Sequence, residues 1–154
     1  MNNQQKIKSE QPEAFCLDDF IDEMQHYVKI ELQKLNKSNV GVELHRYTHF
    51  KRCWVNIDRN KLRQIFVNLL SNSIRLTDRG YIFLGYHTSA SGDNVNFLID
   101  DTGIGIYSDS TLDLAISKGL VETMGGKMDL EITADLGIEI RFNIECVPFE
   151  FAEN

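Results

Sequence analysis

The sequence predicts an α+β fold, a two-layer sandwich with helices packed on one face of a mixed, mostly antiparallel sheet. Three observations predict it. Several segments carry apolar residues at three- and four-residue steps, shorter stretches alternate or run apolar between turn signals, and the two kinds mix without a regular strand–helix–strand repeat. A chain of 154 residues suits one domain with one core. Its 42% hydrophobic and 25% charged residues are ordinary for a globular protein. No internal repeat is present.

The elements follow in order. The polar, Gln-rich start with Pro12 predicts a lead-in over residues 1–14, ahead of a domain over 15–148 and a tail over 149–154. A helix opens at Leu17-Asp-Asp19 with Asp18 or Asp19 as N-cap. Its buried stripe is Ile21, Met24, Val28, Leu32 and Leu35, and Lys37 to Gly41 ends it. Strands are expected over Val42 to Tyr47 and Cys53 to Ile57. Asp58 caps a second helix, which stops near the turn at Asp78-Arg-Gly80. Tyr81 to His87 and Asn94 to Ile99 form a hairpin around Ser89 to Asp93. A third helix runs from about Ser110 to Met124 and stops on Gly125-Gly126. A last hairpin joins Lys127 to Thr133 with Ile138 to Val147.

Bulk properties exclude several classes. The formal net charge is −7 and no run of Lys or Arg forms a basic patch, which argues against nucleic acid as a partner. No apolar stretch approaches the ~20 residues of a membrane span, and no signal-peptide pattern opens the chain, so this segment is expected to make no membrane contact. Cys16, Cys53 and Cys146 are widely spaced and odd in number, which favours reduced, structural thiols in a cytosolic setting.

The informative residues lie on the second helix and after the hairpin. Leu62, Ile65, Phe66, Leu69 and Ser73 make one face of that helix, and Asn68, Asn72 and Arg75 fall on an adjacent stripe. Two neutral amide oxygens and a cation aligned in this way suit a metal ion and phosphate oxygens. Asp101-Thr-Gly103-Ile-Gly105-Ile follows an apolar strand, where backbone can approach a flat ligand while a carboxylate accepts a hydrogen bond from it. Each piece also has a plain structural reading: an Asn bonded to its own helix, a solvated Arg, a strand-end Asx turn. Asp100 reads as a solvated or turn residue.

Together these blocks resemble the ATP-binding catalytic domain of sensor histidine kinases, of the Bergerat or GHKL type. Asp58 to Gly80 resembles the N box, Asp101 to Ile106 the first glycine box, and Leu114 to Gly126 the helix after the second glycine box. The resemblance covers about Phe15 to Val147. It implies ATP and Mg²⁺ as cofactors, with Asn72 as the metal ligand and Asp101 accepting from the adenine amino group. Gly103 and Gly105 would flank the base and ribose, and Asn68 and Arg75 would lie near the phosphates as the catalytic pair. Hydrolysing members of the group carry a glutamate where this chain has Asn68. An asparagine cannot take a proton at neutral pH, which favours phosphoryl transfer to a histidine on a separate dimerisation domain over hydrolysis. A response regulator would be served indirectly, and the location implied is cytoplasmic, including the cytosolic part of a membrane-anchored sensor.

The sequence departs from that family in one block. Only Tyr107 to Thr111 spans the gap where kinases carry a long lid, and Thr111 and Asp113 stand where lid glycines belong. A carboxylate ~4 Å from a phosphate charge costs about 4 kcal/mol at an effective dielectric near 20. Ser110-Thr-Leu-Asp113 also reads as a capping box. Natural loss, deletion and omission of lid residues all yield this sequence. Ile138 replaces a frequent Ser or Thr and Leu76 a frequent aromatic. No His-Glu or His-Asp pair resembling a phosphoacceptor helix is present, so the chain alone is expected to be inactive in autophosphorylation. The competing expectation is a lid-less, non-enzymatic docking or regulatory module of the same fold. A serine kinase of the anti-sigma type is a third, less favoured because it too needs the lid.

Overall fold

The computed structural model describes residues 12–103, 111–133 and 137–151. In chain order the elements are β1 (Phe15–Cys16), α1 (Leu17–Lys34), β2 (Val40–Tyr47), β3 (Trp54–Val55), α2 (Arg59–Leu76), β4 (Gly80–Thr88), β5 (Asn94–Asp101), α3 (Thr111–Thr123), β6 (Lys127–Thr133) and β7 (Gly137–Glu145). Five strands form one sheet in the order β2-β4-β5-β7-β6, while β1 and β3 make a separate two-stranded ribbon. In the main sheet β2 and β4 are parallel and every other pair is antiparallel. This is the mixed, mostly antiparallel α+β sandwich the sequence predicts.

Alternation along the strands decides which face is covered. Ile82, Leu84 and Tyr86 of β4 are buried, as are Val95, Phe97, Ile99 and Asp101 of β5 and Ile138, Ile140, Phe142 and Ile144 of β7. The register sets them in rows across the sheet: Tyr86, Phe97 and Phe142; Leu84, Ile99 and Ile140; Ile82, Asp101 and Ile138. One carboxylate therefore stands among apolar neighbours in the last row. Phe66 of α2 packs edge-on against Phe97 and Phe142 with ring centroids 5.7 Å away in both cases, and Phe20 of α1 meets Phe66 at 5.2 Å. These four rings tie both helices to the sheet.

Two expectations are corrected here. The helix α1 begins at Leu17, its N-cap is Cys16, and no side chain caps it. Asp18 turns inward instead: its carboxylate accepts from the Tyr86 hydroxyl at 2.8 Å, the Cys53 N–H at 2.9 Å and Arg46 Nε. Tertiary donors thus claim the side chain that local pattern assigns to the helix end. The strand expected over Cys53 to Ile57 is shorter: only Trp54–Val55 is strand, paired with β1. Trp54 is held on its other side by Phe149, with backbone hydrogen bonds of 2.8 and 2.9 Å. Phe151 packs on the Trp54 ring at 4.6 Å between centroids, so residues expected in a tail contact this ribbon.

Candidate functional site

The site is built on α2. Asp58 caps it as expected, accepting from the Lys61 N–H at 3.0 Å. Leu62, Ile65, Phe66, Leu69 and Ser73 point into the core, and Asn72 is also buried at 8% exposure. The C-terminal end is clamped by Lys37, whose Nζ donates to the carbonyls of Ile74 at 2.7 Å and Arg75 at 2.9 Å and pairs with Asp78 at 3.1 Å. A cation at the last turn satisfies orphan carbonyls and complements the helix dipole.

Against that end lies the end of β5. Asp101 is buried, and its Oδ2 accepts from the Ser73 hydroxyl at 2.7 Å while Oδ1 accepts from the Gly103 N–H at 2.9 Å. Burial pushes the Asp101 carboxyl above the usual range, and the donors Ser73, Gly103 and Ile138 N–H offset only part of this. A Cβ on Gly103 would stand 2.7 Å from the Leu76 carbonyl oxygen and 2.8 Å from the Thr77 hydroxyl. Glycine there lets the end of β5 pack against the end of α2 beside the Asx turn at Asp101. Gly137 has φ +100°, and a Cβ there would sit 1.8 Å from the Asp101 carbonyl oxygen.

Leu69, Asn72, Ser73, Leu76, Asp101, Leu114, Leu130, Ile138 and Ile140 line a narrow cavity of about 20 Å³. That is room for about one water molecule. An aromatic base enters only if α3 and the β6–β7 hairpin part from α2. Asn72 Oδ1 accepts from Arg75 Nη2 at 3.1 Å, and Asn72 Nδ2 is buried without a partner among the described residues. Asn68 is half-buried one turn back and is not among the residues lining the cavity.

The structure therefore brings Asn72, Arg75, Asp101 and Gly103 to one corner, with Asn68 on the same helix. Gly105 lies outside the described residues, as does Ser110 of the expected capping box. Asp100 is corrected: it sits on the opposite sheet face, half-buried, and accepts from Arg141 Nη1 at 2.6 Å. Burial raises its carboxyl, and Arg141 offsets part of the rise. Ser73 falls on the apolar stripe by spacing, yet it donates to Asp101 and belongs to the site. The signal was a hydroxyl where helical spacing calls for an aliphatic residue. Thr77 and Ser117 also bury hydroxyls that have no partner among the described residues.

Mg²⁺ fits this arrangement poorly. The Asn72 oxygen that would ligate it accepts instead from the Arg75 guanidinium. Mg²⁺ prefers carboxylate and phosphate oxygens in octahedral geometry.

Comparison with known proteins agrees with this architecture. The model for the histidine kinase-, DNA gyrase B-, and HSP90-like ATPases matches residues 57–148. The chain resembles the circadian input-output histidine kinase CikA of Synechococcus elongatus at 35% identity over 103 residues, covering 52% of this chain and 13% of that protein. It resembles the sensor histidine kinase RcsC of Escherichia coli at 30% over 112 residues, covering 58% of this chain and 11% of that protein. The chain thus spans a small part of these relatives. In both, the aligned stretch is longer than the share of this chain it covers, so the relatives carry residues there that this chain lacks. Among solved structures, the mycobacterial sensor histidine kinase MprB has a similar fold, with a TM-score of 0.70 and 18% identity over 89% of this chain and all of that one. The full-length ShkA in complex with AMPPNP is similar at a TM-score of 0.66 and 22% identity, over 85% of this chain and 31% of that one. Because the family model spans more than half of its length, this chain belongs to the histidine kinase-, DNA gyrase B- and HSP90-like ATPases.

Proposed function

We propose that this chain is the ATP-binding catalytic domain of a sensor histidine kinase, holding ATP for phosphoryl transfer to a histidine on a separate dimerisation domain. One observation carries the reading. Asp101 is a buried carboxylate held only by neutral donors, at the mouth of a cavity lined by Leu69, Leu76, Leu114, Ile138 and Ile140. A carboxylate in apolar surroundings is costly, and an exocyclic amino group supplies the donor that offsets it. Adenine has that amino group and a flat apolar body to fill the space between Leu114 and Ile138.

The remaining residues then have tasks of positioning and charge. Gly103 keeps the backbone close enough for the base to slide past α2. Arg75 offers a forked cation to phosphate oxygens, and Asn68 on the same stripe offers an amide. Neither can abstract a proton from water, so the reading is phosphoryl transfer rather than hydrolysis. Mg²⁺ would supply charge neutralisation at the phosphates, but the Asn72 oxygen expected to hold it is bonded to Arg75. The phosphoacceptor histidine and the response regulator belong to other segments or chains. We place the domain on the cytoplasmic side, where ATP is; no helix among the described residues is long and apolar enough to cross a membrane.

A second reading is a non-enzymatic module of the same fold. The narrowness of the cavity, the short Tyr107 to Thr111 segment and the residues present in CikA and RcsC but missing here favour it. Calorimetric titration with adenosine, ADP and ATP separates the two. Heat and thermal stabilisation support the kinase-domain reading; no heat and no stabilisation at millimolar ligand leaves only the second.

A further inference from the structure

We propose that Arg75 takes the place of the divalent cation at this nucleotide site, so that ADP binds to this chain without Mg²⁺. The inference rests on the adenine-nucleotide reading and goes beyond it.

The first support is the orientation of Asn72. Its oxygen accepts from Arg75 Nη2 at 3.1 Å, and its nitrogen points into the buried corner with no partner among the described residues. Turning the amide over would set two N–H donors against each other, so the guanidinium fixes which end faces which way. The unused capacity of Asn72 is therefore an N–H, and an N–H suits an anionic or ribose oxygen, not a cation. A metal ion brought to the oxygen end would approach a positive charge and would have to displace it.

The second support is the chemistry of the surrounding donors. The stripe that faces the proposed phosphates carries two neutral amides, Asn68 and Asn72, and one permanent cation. The helix that carries this stripe has no Asp or Glu from Arg59 to Leu76. Asp101 is turned to Ser73 and Gly103 and, in the nucleotide reading, to the adenine amino group. Arg75 itself is exposed and spends one of its five donors on Asn72, which leaves a planar fork able to grip two phosphate oxygens. A guanidinium held in place by an amide supplies, without a metal, both the charge and the fixed geometry that a diphosphate needs.

The test is the affinity of the full chain for ADP, measured by calorimetry in millimolar EDTA and again in millimolar Mg²⁺, with adenosine as a control that lacks phosphates. The expected result is ADP binding in EDTA within about threefold of that in Mg²⁺. Arg75→Ala should lose about tenfold or more of its ADP affinity in EDTA while binding adenosine as before. Unchanged adenosine binding reports that the variant is folded. Two results would overturn the inference and leave the nucleotide reading standing: a wild-type affinity that Mg²⁺ improves about tenfold or more, or an Arg75→Ala variant that binds ADP in EDTA as well as wild type. Failure of both adenosine and ADP to bind the wild type under every condition overturns the nucleotide reading and this inference with it.

Discussion

Asp18 and Asp101 are both half-hidden or hidden carboxylates at the edge of the same core, yet they shift in opposite directions. At Asp18 burial works to raise the carboxyl, but Arg46, the Cys53 N–H and the Tyr86 hydroxyl outweigh it and hold it below the usual range. At Asp101 burial is the larger influence, and the opposing donors Ser73, Gly103 and Ile138 are all neutral. The difference is a cation. With one, a carboxylate becomes a tie that joins α1, β2, β4 and the segment before β3. Without one, it stays short of donors and is suited to accept another from a ligand.

The sharpest way to break this contrast is to remove each carboxylate. Asp18→Ala strands the Tyr86 hydroxyl and the Cys53 N–H and unpairs Arg46, and it should cost about 3 kcal/mol in urea denaturation. Asp101→Asn deletes a charge that burial disfavours. Its stability at neutral pH should stay within about 1 kcal/mol of wild type, while adenosine affinity falls about tenfold or more. A stability loss as large as that of Asp18→Ala would make Asp101 a second structural tie and remove the argument for a ligand.

The two sites should also answer pH with opposite signs. Asp18 has a lowered carboxyl, so its stabilisation is present above the unfolded value and is lost as pH falls through the folded one. Asp101 has a raised carboxyl, so its contribution favours the fold at low pH and fades as pH rises through the raised value. Adenosine binding, which uses the ionised form, should weaken as pH falls into that same raised window, above the ordinary carboxylate range. Urea midpoints of wild type, Asp18→Asn and Asp101→Asn between neutral pH and about 3 would show it. Parallel acid limbs for the three proteins would contradict the assignment.

The smallest effect belongs to Ser73. Ser73→Ala removes one of the donors that hold Asp101 down, and it should lower adenosine affinity by about threefold. The pH at which binding is lost should move upward. A change in affinity with no movement of the pH profile would mean that Ser73 acts by shape alone.

Much of this was legible in the chain, for identifiable reasons. The period-3.6 stripe of α2 and the Asp58 cap are local, and the helix formed where they pointed. The hairpin around Ser89 to Asp93 carries its own turn chemistry, including Gly92 at φ +76°. The errors came where a long-range partner overrode a local preference. Asp18 turned to Arg46 and Tyr86 instead of capping, Asp100 gained Arg141 from the neighbouring strand, and the strand expected over Cys53 to Ile57 shortened to Trp54–Val55, paired with β1 and Phe149. None of those partners lies within reach of a local pattern.

By itself the sequence determined the two helices and hairpins that build the corner, and its family resemblance singled out Asn68, Asn72, Arg75, Asp101 and Gly103. The elements follow from periodicity and turn chemistry, which act between near neighbours, and the residues from the resemblance. Only the tertiary structure decided which partners those residues meet. Ser73 approaches Asp101 from 28 positions away, Asn72 turns its oxygen to Arg75, and the cavity between α2, α3 and β7 closes to the size of a water molecule. Burial and hydrogen-bond partners, which set the charge and direction of each group, arise only when separate segments pack together.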